Sequence, residues 1–204
     1  MLRLTYVIFL FLLPAAAVAQ DFSEFLIRVN TAPEQRRQFL VDSFLTVVPG
    51  YPFIQGDSLV HFLYTGNAEE VTLVGDANNW SATGASFSRL STTTLWYRSE
   101  RYEADARLDY KFIVDENWIL DPRNPLTITG GYGPNSELRM PAYEPPSEIQ
   151  PRQNIPTGSM VDTQFTSAAL QNTREARIYL PAGYDQSEER YPVVLFHDGL
   201  DYWS

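Results

Sequence analysis

Cysteine is absent from the 204 residues, which excludes disulfide bonds and thiolate metal sites. Histidine occurs only at His61 and His197, without ligand spacing, so no histidine-based metal centre is expected. Lys111 is the one lysine among 15 basic residues, and these face 25 acidic ones. The resulting net charge of −10 argues against DNA, RNA or an anionic membrane as partner. Beyond residue 19 no apolar run approaches the length of a membrane span. Glycines cluster in Gly130-Gly-Tyr-Gly-Pro-Asn-Ser136, but the segment has neither the GxGxxG spacing nor the Lys-Ser/Thr end of a phosphate cradle. No cofactor is expected.

One long apolar run is present, at the start. Arg3, then Leu4 to Leu13, then Ala17-Val-Ala19 have the composition of an export signal cleaved before Gln20. The mature protein is therefore expected outside the cytoplasm, periplasmic or extracellular. Residues 20–56 read as a helical segment. Thr31-Ala-Pro-Glu34 has the form of a capping box, and Phe39, Leu40, Phe44 and Val47 follow at helical spacing, which predicts a helix from about Ala32 to Leu45. Residues 57–140 change to a period of two. Val60, Phe62 and Tyr64 share one face; Glu70–Val74 and Leu95–Arg98 are further strands. Leu108, Tyr110, Phe112 and Val114 alternate with Asp109, Lys111, Ile113 and Asp115. Short strands separated by turn signals predict an immunoglobulin-like antiparallel β-sandwich, and the chain as a whole is mainly β.

Residues 141–158 carry Pro141, Pro145, Pro146, Pro151 and Pro156 with few large apolar residues, the composition of a semi-rigid linker. In residues 159–204 three strands are expected: Met160–Ser167, Arg177–Leu180 and Tyr191–Phe196, the last suited to burial on both faces.

Val74-Gly-Asp-Ala-Asn-Asn-Trp80, Tyr110-Lys-Phe112 and Asn117-Trp-Ile-Leu-Asp-Pro122 resemble the immunoglobulin-like (E-set) module of glycogen-branching and debranching enzymes and the glycogen-binding domain of the AMP-activated kinase beta subunit. The resemblance places Trp80 and Trp118 as sugar-stacking platforms, with Lys111 and Asn135 as hydrogen-bonding partners. Indole faces suit the C–H side of sugar rings, and edge hydroxyls need fixed donors and acceptors. The same residues also suit a sandwich that binds nothing: a tryptophan closing a loop, a solvated strand lysine, an asparagine satisfying its own turn.

Arg177-Ile-Tyr-Leu-Pro-Ala-Gly-Tyr184 and Arg190-Tyr-Pro-Val-Val-Leu-Phe-His-Asp-Gly199 resemble the opening strands of the enterochelin-esterase-like branch of the α/β-hydrolase esterases. That resemblance implies hydrolysis of carboxylic esters by a serine activated by histidine. It also implies an oxyanion-hole N–H from the loop that includes Gly199 and Leu200. No Gly-x-Ser-x-Gly stands in the chain, and His61 and His197 do not match the catalytic base. The expectation is the amino-terminal portion of an exported serine esterase, inactive by itself, with an ester as substrate of the complete protein and polysaccharide as a further partner. The rival expectation is a carbohydrate-binding protein without catalysis, for an α-glucan or a xylan. The oligomeric state is left open.

Overall fold

The computed structural model describes residues 21–130, 132–150, 152–197 and 199. The export signal expected at residues 1–19, and Leu200, lie outside them. The described chain divides into two compact units, residues 21–127 with 136–143, and residues 128–135 with 144–199.

The first unit begins with α1 (Phe22–Thr31) and α2 (Glu34–Val47). Asp21 caps α1, its Oδ1 accepting from Ser23 N at 2.7 Å and Glu24 N at 3.2 Å. These two backbone donors hold the Asp21 carboxyl below its ordinary range. The start of α2 departs from the predicted capping box. Pro33 is the N-cap and has no side chain to offer, while the Thr31 hydroxyl turns back to Ile27 O at 2.9 Å and closes α1 instead. In place of one helix start, the segment holds a helix end followed by a helix start.

The strands are β1 (Phe53–Gln55), β2 (Leu59–Thr65), β3 (Val71–Gly75), β4 (Ser88–Arg89), β5 (Leu95–Arg101), β6 (Arg107–Val114), β7 (Asn117–Ile119), β8 (Thr127–Gly130) and β9 (Gly133–Arg139). They form two antiparallel sheets, in the orders β1-β2-β5-β4 and β3-β6-β9-β8, with β7 paired to β6. Alternation along β2 decides the layering. Val60 and Phe62 join Leu73, Tyr110, Phe112 and Leu138 between the sheets. Leu63, with Leu95 and Phe53, instead meets Phe22, Phe25, Val41 and Phe44 of the helices. The first sheet is thus buried on both faces, between helices and second sheet, and Phe25 stacks on Phe44 at 3.9 Å. Each fully buried side chain of this size contributes about 1.5–3 kcal/mol.

A polar network anchors the loop after β7 inside this core. The Tyr110 hydroxyl donates to Asp121 Oδ2 at 2.8 Å and accepts from Asn124 Nδ2 at 3.0 Å, and Asp121 N donates to Ser136 Oγ at 2.8 Å. Burial raises the Asp121 carboxyl and, with the nearby Asp121 charge, raises the Tyr110 phenol well above its ordinary value.

In the second unit, β10 (Ser159–Ser167) and β11 (Asn172–Leu180) form a two-stranded antiparallel ribbon in register from Ser159↔Leu180 to Ser167↔Asn172. β11 starts five residues earlier than the predicted Arg177–Leu180. The third expected strand is absent: Tyr191–Phe196 forms no strand, and Val193 and Leu195 are 91% and 79% exposed. A run this apolar becomes a central strand only with neighbours on both sides, and none lies beside it among the described residues.

Candidate functional site

Lys111 and Trp118 lie on one face of the second sheet. Trp118 pairs with Ile113, and Lys111 stands two residues from Ile113 on β6, so the side chains of all three project away from Phe112 and the core. A two-residue turn, Asp115-Glu116, delivers Trp118 to that position. Both turn residues have positive φ, 47° and 70°, the type I′ geometry that matches the twist of a hairpin. Asp115 is held there because its Oδ1 accepts from Glu69 N at 2.8 Å and Glu70 N at 3.0 Å. Trp118 is 51% exposed and lines a cleft of about 300 Å³ together with Glu70, Thr72, Ile113, Asp115 and Glu116. Lys111 is half-buried and does not line it.

Trp80 has a different environment. Gly75 ends β3, where an added Cβ would come 2.4 Å from Asp109 O, so only glycine fits. The chain then turns through Asn79 and Trp80, both left-handed with φ 53° and 58°. The indole Nε1 donates to Asp76 Oδ1 at 3.1 Å, and Asp76 Oδ2 accepts from Asp109 N at 2.8 Å. Its N–H is thereby engaged in closing the loop, and Trp80 does not line the Trp118 cleft. Asn135 belongs to the second unit, where its Nδ2 would lie 2.9 Å from a Cβ at Gly130. Of the four sequence-predicted sugar contacts, Lys111 and Trp118 share a face.

A larger cleft, about 450 Å³, opens between the two sheets of the first unit. Phe62, Leu73, Tyr110 and Leu138 form its apolar lining, and Arg98, Glu100, Arg101, Tyr102 and Asp109 its polar one. Arg98 forms an ion pair with Glu100, and Arg107 with Asp109 at 2.8 Å. Burial, with the Glu100 charge adding, pushes the Tyr102 phenol up to about 12, so it stays neutral. Charges in a strand ordinarily mark a solvated face, so residue type alone does not single these positions out. The signal was their position: Arg98 and Glu100 continue the inward alternation begun by Trp96.

His61 is buried in β2, with Nδ1 2.8 Å from Ser99 Oγ and its ring 4.2 Å from that of Phe22. It serves the helix–sheet contact. Of the expected oxyanion-loop residues, Gly199 is described, as part of a turn. His197 is exposed.

Residues 167–204 match the model of the family described as "Putative esterase". Among solved structures, a ferric enterobactin esterase from Salmonella typhimurium is similar at 21% identity, over 58% of this chain and 40% of that one, with a TM-score of 0.47. An enterobactin esterase from Shigella flexneri, crystallised in the presence of enterobactin, is similar at 21% identity, over 60% and 40%, with a TM-score of 0.42. The chain thus matches about 40% of the length of these structures. The enterochelin-esterase-like resemblance of Arg177–Gly199 falls within the matched segment, residues 167–204.

Proposed function

We propose that this chain is the amino-terminal portion of an exported serine esterase, in which the β-sandwich precedes an α/β-hydrolase domain that continues past Ser204. The observation that carries the reading is the esterase match over residues 167–204, behind a β unit that has its own complete core. The nucleophile, its base and the orienting acid then belong to the continuation. The loop with Gly199 and Leu200 supplies a backbone N–H to the anionic oxygen of the tetrahedral intermediate, a contribution of about 2.7–4 kcal/mol to the barrier where one such donor has been removed. Candidate substrates are feruloyl or acetyl esters on plant polysaccharide, or the ester links of a catecholate siderophore. Assaying both the present chain and the reading frame extended past Ser204 with p-nitrophenyl acetate tests this. Hydrolysis is expected from the extended protein alone and is abolished by a serine-directed phosphonate. Hydrolysis by the present chain, or none by the extended one, sinks the reading. Export is checked by amino-terminal sequencing of the mature protein, expected to begin at Gln20.

A second reading, glycan binding without catalysis, is favoured by the exposed Trp118 beside its cleft. Titrating maltotriose or xylotriose should then shift tryptophan fluorescence, and Trp118→Ala should remove the response. An unchanged response in that variant removes Trp118 from the site.

A further inference from the structure

The cleft between the sheets opens where one sheet is left without an edge strand. β5 pairs with β2 from Leu95 to Arg101, but β4 meets its other edge only at Trp96 and Tyr97. Just before β4 the chain belongs to the opposite sheet, where Ser86 bridges Thr72 and Phe87 N donates to Val71 O at 2.7 Å. Among the described residues, no strand lies beside Arg98–Arg101 on that side.

At this opening the inward positions of β5 change character. Trp96 packs in the core, while Arg98 and Glu100, next on the same face, form an ion pair in the cleft. Inward positions of a sandwich are ordinarily apolar, so the pair is out of place as packing. It is not saturated either. Arg98 Nη1 donates to Ser86 O at 2.9 Å, but Arg98 Nε, buried, has no hydrogen-bond partner among the described residues. Tyr102 follows at the next inward position, edge-on to Phe62 with ring centroids 6.3 Å apart.

We propose that this cleft binds a neutral polyhydroxylated ligand, a sugar ring or short oligosaccharide. Arg98 and Glu100 hydrogen-bond adjacent hydroxyls, and the half-buried Tyr102 and Leu108, which line the cleft, meet the C–H face. A hydroxyl both donates and accepts, so a planar donor beside a planar acceptor matches neighbouring hydroxyls. The charged lining residues balance, Arg98 and Arg101 against Glu100 and Asp109, which gives a charged ligand no net attraction. The open edge of β5 adds backbone donors and acceptors. A volume of about 450 Å³ falls within the range of small-molecule sites. The Trp118 cleft shares no lining residue with this one, and the proposal does not rest on the esterase reading.

Calorimetric titration of the whole chain with maltotriose and with xylotriose tests the proposal. At least one is expected to bind saturably and to slow amide exchange at residues 98–101. Glu100→Gln keeps the shape and removes the charged acceptor, and should weaken binding at least about tenfold. Should that variant lose its cooperative melt, Arg98→Met, which keeps the apolar stem, replaces it with the same expectation. Absence of binding by both sugars overturns the proposal. So does undiminished affinity in a folded variant, or binding that is lost in Trp118→Ala while Glu100→Gln retains it.

Discussion

His61 shows how one residue links pH to the helical layer. Its ring is buried against Phe22 and Phe53, Nδ1 meets Ser99, and Nε2 has no partner among the described residues. Burial therefore favours the neutral imidazole and lowers its pKa from 6.5 to about 4, against a small opposing pull from Asp21. The unfolded chain takes up this proton near 6.5 and the folded one only near 4. The stability tied to neutral His61 is complete above pH 6.5 and is lost as the pH falls toward 4, at most about 3 kcal/mol. Replacing His61 by Leu removes the titrating group and keeps the apolar contact. Urea unfolding at pH 7 and pH 4.5 should show the wild type losing more stability than the variant, and equal losses would contradict the account. Strand period alone does not reveal the His61 contact with Phe22, because that contact depends on a helix that the sequence pattern does not place. The outward direction of Lys111 was legible because it follows from strand period alone. The Trp80–Asp76 bond was not legible, since it depends on two consecutive left-handed residues that no propensity favours.

Elements were readable in proportion to how local their causes are. β6 was clear because Leu108, Tyr110, Phe112 and Val114 recur at every second position, with Asp109 and Lys111 between them. α1 was not placed: its core contacts, Phe22, Phe25 and Val29, span barely two turns. A helix that short owes most of its stability to what it packs against. Asp21 with Glu24 three residues later was the available start signal, obscured by the apolar run that precedes it in the sequence. The Phe25–Phe44 stack joins α1 to α2, and Gln55 of β1 holds the start of α1, its Oε1 accepting from Phe22 N at 3.0 Å and its Nε2 donating to Asp21 Oδ2 at 2.9 Å. Phe44 also meets Phe22 and Phe53, so truncating it removes a junction between both helices and the sheet. Phe44→Ala should cost about 3–5 kcal/mol in chemical unfolding. It should also raise amide exchange in α1 more than in β6. A loss below about 1 kcal/mol would mean that the helices contribute little to the fold.

At the scale of the whole molecule the two units differ in what they can bury. The first closes two apolar clusters of its own. The second has a ribbon whose register puts Val161, Thr163 and Phe165 of β10 and Arg174, Ala176 and Ile178 of β11 on one face. On the other face Asp162 pairs with Arg177 at 2.7 Å. The pattern is that of a half-buried sheet, yet Phe165 is 64% and Ile178 45% exposed, and Val193 to Phe196 are 67–91% exposed. Two strands rarely hold together in water without a covered face, and exposed apolar strands recruit other chains. The strand expected over Tyr191–Phe196 failed for the same reason: its apolar sequence specifies a burial that this stretch of chain does not itself supply. The whole chain should therefore self-associate as its concentration rises, with sedimentation velocity showing species larger than the monomer. Val194→Lys together with Phe165→Lys places charge on both exposed surfaces without touching the first unit, and should return the protein toward monomer at unchanged melting of that unit. Hydrogen exchange gives an independent reading. Amides of Leu108–Val114 should exchange orders of magnitude more slowly than those of Thr173–Tyr179. Equal protection of the two strands in a monomeric sample would show that the ribbon is stable without a cover.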